Sequence, residues 1–530
     1  MATTGEAEKV LKPGDINIFD VRSAIADLKA AGELLETDVE VDPDVQFGAI
    51  QKKLDGGPAL LFNTIKGQPH ARFLTNLFSQ RHRIDMMFGF ADRVDRTRQI
   101  AHAINNPIPP VVIDSADAPV HAVVNEDVED VDSIVPPIRH TRKEPELTTG
   151  AGNSVVYGDI FDGVSHIGYN RMNFRWGNVG TFQAAPGSHM WMIQKEFYHE
   201  DDPAIPITMN FGVPPAATLA AGSGFDYAVL PNPADELGMA GAFQGAPLRL
   251  VEAATIPDAY ALADAEYTIE GYLKPKDKRY ETAEAEEAGE QGKHPFHPEW
   301  AGYMGKAYKA STFHVTAVTH RPLEEKPITM PLIVHSSDSS NIDTTVREAA
   351  FYELAERIQP DICTDVHIPY AITEWGGAIF QIDKQNPVDE GYHRNFLVAA
   401  CAASRGMRMA IAVDTDVDIY DMDDILWALT TRVNPTEDIL NPVPGGAGQA
   451  FQPNERSTAG SEQWTQSHTR FEGGIAIDAT VPYGMETDFE RPQYNVEEVE
   501  DLTTWFTEAE VEHAEQITEN WTRLLRDTGW

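Results

Sequence analysis

From Val111 to about Pro331 the chain is a succession of short β-branched and aromatic runs separated by Gly and Pro, and few architectures accept so many short strands in a row. The clearest are Ala118 to Val124, Ser154 to Tyr157, Ile207 to Phe211, Arg249 to Glu252, Glu266 to Leu273 and Phe313 to Thr319. Their spacing predicts a barrel or a sandwich. Within this region Glu281 to Lys293, rich in Glu, Ala and Gly, reads as a solvated loop.

On either side the grammar changes. Asp20 is placed to cap a helix predicted over Val21 to Leu35, and Gly56-Gly57-Pro58 turns into a strand over Ala59 to Asn63. A helical stretch from Arg81 to Ile104 breaks near Gly89. After His335, a helix starting at Asp343 or Thr345 runs to Ile358, followed by a strand over Ala378 to Ile382. A helix through Cys401 and Ala403 then leads to a strand over Met409 to Val413, which is βαβ grammar. A short helix follows over Asp423 to Leu429, and Asp414 to Asp418 read as strand-end and helix-capping residues. Thr507 to Arg526 forms an amphipathic helix with Val511, Ala514, Ile517, Trp521 and Leu525 near one face, expected to be core or to dock on a partner subunit. The fold class is therefore α+β and multidomain. Its expected divisions are an N-terminal α/β domain over residues 1–110, a β domain over 111–335, a C-terminal α/β domain over 336–500 and a terminal helix over 501–530.

Lys and Arg number 41 against 83 Asp and Glu, a net charge of −42 that repels nucleic acid and anionic lipid. An anionic substrate then needs a local positive site, so each pocket arginine is informative. The two cysteines, Cys363 and Cys401, are too few for a disulfide framework or a zinc ribbon. Residues Met1 to Lys12 lack a basic-then-apolar signal pattern and no run is long enough to span a bilayer, so a cytoplasmic location is expected. There is no GxxxxGK[ST] and no HExxH; Gly150-Ala151-Gly152 lacks the third glycine of a dinucleotide fingerprint. Asp414 to Asp418 begins like a calcium loop, but Ile419 and Ile425 stand where Gly and Glu are required.

The stretch with the most chemistry is Asn170-Arg171-Met172-Asn173-Phe174-Arg175, read with Gly187-Ser188-His189. Asn170, Asn173 and Arg175 are expected on the polar face of an extended segment, with Met172 and Phe174 on the apolar one. An arginine so placed can grip a carboxylate through two hydrogen bonds. An Asn, a His and a later carboxylate can hold a hard divalent metal.

With Phe211-Gly212-Val213-Pro214-Pro215-Ala216, Glu236-Leu237-Gly238-Met239-Ala240-Gly241 and Leu426 to Arg432, these residues resemble the UbiD family of prenylated-FMN-dependent (de)carboxylases over most of the chain. The resemblance implies a split β-barrel over 111–335 that binds prenylated FMN, and a C-terminal domain that mediates oligomerisation. It implies Mn²⁺ held by Asn170, His189 and Glu236, K⁺ nearby, and cofactor contacts from Asn173, Phe174, Arg175, Ser188 and Lys384. The family's catalytic arginine and two glutamates fall on Arg175 and, in His294 to Tyr303, on Glu299 and on a histidine in place of the first glutamate. His294 or His297 is then the substitute, since histidine exchanges protons near neutral pH. Arg175 is expected to bind the substrate carboxylate and pair with Glu299, the proton donor; Glu270 is expected to be structural.

The activity so implied is reversible, non-oxidative decarboxylation of an aromatic or heteroaromatic acid, releasing CO₂, in a homodimer or higher homo-oligomer supplied by a flavin prenyltransferase. The alternatives are a cinnamate-type decarboxylase, a flavin oxidoreductase with unmodified FMN, and a scaffold subunit that has lost the chemistry.

Overall fold

The computed structural model describes residues 19–44, 46–158, 164–184, 188–197, 204–223, 234–372, 376–404, 407–444, 473–492, 499 and 501–518 of the 530-residue chain. At its centre six strands close on themselves: Gly150–Tyr157, Ser165–Trp176, Val179–Gln183, Ile205–Phe211, Tyr267–Tyr280 and Lys309–His320. Neighbours pair antiparallel, and Tyr267 lies opposite His320 where the ring closes. Val156, Met172, Phe174, Phe182, Ile207, Met209, Ile269 and Phe313, drawn from all six strands, form one buried cluster. A sandwich would also share one core, so it is the closing pair of Tyr267–Tyr280 with Lys309–His320, leaving no open edge within the ring of six, that decides for a barrel.

The barrel strand ending at Phe211 turns at Gly212, whose φ of +60° suits a residue without a side chain. A Cβ there would lie 2.2 Å from the Ile328 carbonyl oxygen. The turn delivers Pro215–Gly222, a helix buried along its whole length.

In the N-terminal unit Asp20 caps the helix Val21–Ala31 by accepting from Ser23 N at 2.8 Å. Gly32, at φ +77°, ends that helix before Leu34, so the predicted extension to Leu35 becomes a strand, Leu34–Thr37. The break near Gly89 separates the helices Arg81–Phe88 and Arg93–Asn105. The N-terminal sheet runs Leu34–Thr37, Ala59–Phe62, Arg72–Thr75, and is completed by Ile328–Thr329, which returns from beyond the barrel. Glu266, fully buried, ties this junction: it accepts from Arg22 at 2.7 and 2.8 Å and from Ile328 N at 3.0 Å.

The long helix Ser337–Ile358 starts earlier than its sequence indicates, because Ser336 caps it and Asp343 and Thr345 are buried within it. Its Ile342, Val346 and Ala349 share a core with Ile100, Ala217 and Leu237. The C-terminal sheet follows in the order Cys363–His367, Gly377–Ile382, Met409–Asp414, Gly473–Ala479, Ile439–Pro444, with the middle three strands parallel. Asp421 caps the helix Met422–Thr431. Asp414 and Asp416 instead receive Arg432 at 2.8 and 2.6 Å, so the calcium-like run is an arginine clamp.

Three further expectations change. Ala118 to Val124 is not one strand: Pro119–His121 is a 3₁₀ turn, since Pro119 withholds a ladder donor, and a strand forms only over Val123–Asn125. Glu281 to Lys293 is no solvated loop: Glu281 is buried and Ala283–Ala288 is helical. The terminal helix is described over Glu508–Thr518, where Ala514, expected on the packed face, is exposed and Val511 is half-buried. The part beyond residue 518, with Trp521 and Leu525, and Gly187 lie outside the described residues. Among the described residues no helix is long and apolar enough to cross a membrane.

Glu348 joins the N-terminal and C-terminal units. Arg81 from the N-terminal unit pairs with it, and His367 Nδ1 and Ile368 N from the C-terminal sheet reach it at 3.0 and 2.7 Å. Burial alone would raise its pKa, but Arg81 and His367 bring it down from 4.5 to about 2. Its contribution to stability is therefore complete above about pH 4.5 and is lost as pH falls towards 2. Glu348→Gln leaves Arg81 buried without its counter-charge and is expected to cost about 3 kcal/mol in urea unfolding at pH 7, with a flatter acid limb than wild type. An unchanged urea midpoint would show that this junction is not a stability hub.

Candidate active site

The strand Ser165–Trp176 serves two clusters through its two faces. Successive side chains alternate, so His166, Gly168 and Asn170 fall with Met172 and Phe174, while Arg171, Asn173 and Arg175 share the other side. The expected grouping of Asn170 with Asn173 and Arg175 is therefore corrected by one step of the pleat.

On the first face His166 Nδ1 stands 2.8 Å from Glu236 Oε2, and His189 Nδ1 stands 3.3 Å from Glu236 Oε1. Local structure fixes each member. Ser188 caps the helix His189–Glu196, putting His189 at its first turn. Asp235 caps the helix Glu236–Phe243, and the backbone N–H of Ile167 holds Glu236 Oε2 at 2.8 Å. Burial alone would raise the Glu236 pKa, but His166 and His189 outweigh it and bring it down to about 2. Full burial pushes the His166 pKa down, whereas contact with Glu236 outweighs desolvation at the less buried His189 and raises it.

Asn170 does not join this trio. Its Oδ1 accepts from Ser154 Oγ at 2.6 Å and its Nδ2 donates to the Gln183 carbonyl at 2.9 Å. The third donor is His166, which sequence reading missed.

On the second face Arg171 donates Nε and Nη2 to the two oxygens of Glu281, both at 2.8 Å, and Nη1 faces Glu299 Oε1 at 3.4 Å. Its guanidinium carbon lies 5.2 Å from the Phe296 ring centre. Burial works against the charge, but Glu281 and Glu299 prevail and raise the arginine's pKa. The expected Arg175–Glu299 pair is not formed. Arg175 donates to the Tyr280 carbonyl and to the exposed Glu286, both at 2.8 Å. Asn173 donates to the Glu281 carbonyl at 2.7 Å and to Glu146 at 3.0 Å, and Phe174 belongs to the barrel core. Glu299 keeps its place because Gly305 has no side chain: a Cβ there would come within 2.4 Å of Glu299 Oε1.

The carboxylate that grips the arginine is Glu281, and neither His294 nor His297 bonds to that guanidinium in the structure. His294 faces Glu284 and Glu290 at 3.2 and 3.6 Å, outside the arginine network. His297 is buried against His140 and Glu144, and burial with the neighbouring His140 pushes its pKa down to about 4, too low for proton exchange near neutrality. Lys384 spends its ammonium on the Val481 carbonyl, Thr480 and Glu390, at 2.6, 3.0 and 3.0 Å. It lines a cavity of about 510 Å³ in the C-terminal unit, not the trio at Glu236. Glu270 is structural as expected, held by Ala254 N and Thr255 N at 2.8 and 2.9 Å.

Residues 111–336 match the 3-octaprenyl-4-hydroxybenzoate carboxy-lyase Rift-related domain, residues 340–479 the C-terminal domain of the same enzyme and residues 25–104 its N-terminal domain. A gallate decarboxylase from Lactiplantibacillus plantarum is 33% identical over 484 residues, covering 87% of this chain and 93% of that one. The chain belongs to the UbiD family. It is thereby an enzyme of the carboxy-lyase class. Among solved UbiD-like folds, the 3,4-dihydroxybenzoic acid decarboxylase of Enterobacter cloacae superposes with a TM-score of 0.77 at 27% identity, covering 93% of this chain and 99% of that one. An evolved dimeric form of the UbiD-class enzyme HmfF from Pelotomaculum thermopropionicum, in complex with prFMN, gives 0.75 at 24% identity, covering 92% and 100%.

Within the UbiD frame, His166 to Arg171 has the same spacing as Asn170 to Arg175, four residues earlier in the chain. A shift of four residues keeps each member on its own face of the strand, so side-chain alternation does not separate the two pairs; their tertiary partners do. The two arginines also differ energetically. Arg171→Ala strands Glu281 without its counter-charge and is expected to cost about 3 kcal/mol in urea unfolding. Arg175→Ala loses a pair with a solvent-exposed partner and is expected to cost about 1 kcal/mol. Equal losses would contradict this assignment.

Proposed function

We propose that this enzyme decarboxylates a hydroxylated aromatic acid, reversibly and without net oxidation, with prenylated FMN as cofactor. The observation that carries the reading is the trio Arg171, Glu281 and Glu299, whose arginine lies on the barrel strand that also supplies His166. The gallate and 3,4-dihydroxybenzoic acid decarboxylases among its relatives support the substrate class.

The donor set at the first trio suits a divalent ion, with two imidazoles and a carboxylate converging. His166, His189 and Glu236 would hold Mn²⁺ there, where it would neutralise a phosphate; K⁺ nearby remains part of the family reading. His166 and Arg171 are separated by five residues of strand, about 17 Å, the scale of a flavin mononucleotide from phosphate to ring. When bound, prenylated FMN supplies the electron sink that loss of CO₂ requires.

The chain's own residues do the rest. Arg171 orients the substrate carboxylate through the N–H groups not spent on Glu281. Glu281 accepts from both Arg171 and Tyr308 N, which sets a carboxylate squarely against the guanidinium. Glu299, whose Oε1 stands 3.4 Å from Arg171 Nη1, carries a proton and delivers it to the ring carbon as CO₂ leaves. Phe296 keeps one face of the guanidinium out of water.

A flavin prenyltransferase would supply the cofactor. A reducing, cytoplasmic compartment fits Cys363 and Cys401, both buried as free thiols. The exposed Leu502, Trp505 and Phe506 ahead of the terminal helix support a homo-oligomer.

The test is CO₂ release from gallate and 3,4-dihydroxybenzoate by protein co-expressed with a flavin prenyltransferase. Absence of turnover on any hydroxybenzoate by cofactor-loaded protein would sink the proposal. Glu299→Gln is expected to lower kcat by about 10²-fold or more with the cofactor still bound. Gly305→Ala should lower kcat in the same direction by displacing the Glu299 carboxylate, with circular dichroism unchanged. Wild-type turnover in Glu299→Gln would return the proton to another group.

A further inference from the structure

A second trio of metal-ligating side chains lies beside the arginine network and takes no part in the proposed chemistry. His297 Nδ1 is 2.8 Å from Glu144 Oε1, His140 Nδ1 is 2.9 Å from the same oxygen, and the two nitrogens are 3.2 Å apart. The three side chains are buried, at 8, 3 and 0% exposure for His297, His140 and Glu144.

The surroundings hold this triangle in shape. Ile138 and Thr148 exchange backbone hydrogen bonds at 2.8 and 2.9 Å, closing the loop that carries His140 and Glu144. Thr141 N occupies Glu144 Oε2 at 2.8 Å, which leaves Oε1 to the two imidazoles. Arg139 Nη1 fixes the Glu144 carbonyl at 2.9 Å. His297 is set by the strand Pro295–Pro298, paired with Met304–Lys306, and Thr141 Oγ1 meets Met304 Sδ across the gap at 3.5 Å. Such outer contacts are what orient metal ligands.

Hydrogen bonding alone is a poor account of this geometry. Both Nδ1 atoms would have to donate to one carboxylate oxygen, bringing two N–H dipoles head to head at 3.2 Å. His297 gains nothing elsewhere, because its Nε2 is buried without a hydrogen-bond partner. A cation converts that opposition into two bonds. Sides of 2.8, 2.9 and 3.2 Å leave a point about 2 Å from all three donors and about 1 Å off their plane, and roughly 2.0–2.2 Å is the Zn²⁺ bond length to imidazole and carboxylate. Two His and one Glu with a fourth position open is a recurrent zinc donor set.

We infer that His140, Glu144 and His297 form a second divalent-cation site, of zinc type, distinct from the trio at Glu236. The site belongs to the folded chain and is independent of the flavin chemistry.

The test counts metal. Full-length protein is stripped with a chelator, equilibrated with ZnCl₂, passed through a desalting column and measured for zinc per chain. Wild type is expected to retain about two equivalents, and His140→Gln, His297→Gln and His189→Gln about one each, with His189→Gln/His297→Gln retaining none. An equal zinc content in wild type, His140→Gln and His297→Gln overturns the inference, because the ion is then adventitious on a chain of this acidity. Wild-type crystals soaked in ZnCl₂ give a reading that needs no variant: anomalous density at the zinc edge between His140 and His297 supports the site. Density at Glu236 alone overturns it.

Discussion

Closure of the barrel fixes which way every side chain of Ser165–Trp176 points. In an open sheet a slip of one residue exchanges the faces of a strand; in a closed ring both neighbours must slip with it. That constraint lets one strand place an imidazole toward Glu236 and a guanidinium toward Glu281 with the pleat as the only hinge between them. Because the imidazole and the guanidinium share one rigid element, their separation does not depend on loop conformation.

Charge is arranged to match. On a chain of net charge −42, Arg171 is a buried cation given two carboxylates of unequal grip. The tight partner is Glu281, bidentate at 2.8 Å, and the longer contact is to Glu299 at 3.4 Å. The same arrangement recurs at Glu348, where one carboxylate receives an arginine from the N-terminal unit and a histidine and a backbone amide from the C-terminal sheet. Buried ions of this kind are costly alone, so each arrangement binds its parts into a cooperative whole.

Much of this was legible in the residues. Short strands punctuated by Gly and Pro gave the barrel region, and strand–helix alternation gave the flanking α/β units. Ser188, His189, Glu236 and Glu299 lie where family motifs placed them in sequence, and the structure joins His189 and Glu236 in one trio. Three features hid from sequence. His166 stands where the motif leads one to look for asparagine, so the arginine was sought four residues too late. Glu281 opens an acidic, Ala-rich stretch whose composition reads as solvated, yet its backbone still belongs to the end of a barrel strand and its side chain turns inward. His140 and Glu144 meet His297 only through tertiary folding, across a separation that no local pattern reports.

The returning strand Ile328–Thr329 bears on how the protein comes into being. A nascent chain emerging from the ribosome presents Leu34–Thr37, Ala59–Phe62 and Arg72–Thr75 long before the fourth strand exists, and leaves the Arg72–Thr75 edge unpaired throughout barrel synthesis. The barrel is likewise unfinished until Lys309–His320 arrives, only a few residues earlier in the chain. Completion of the two sheets is thus bunched into one late interval of translation, when Glu266 meets Ile328 N. Until then the half-built chain carries open strand edges, and for that period it is a natural client for chaperones.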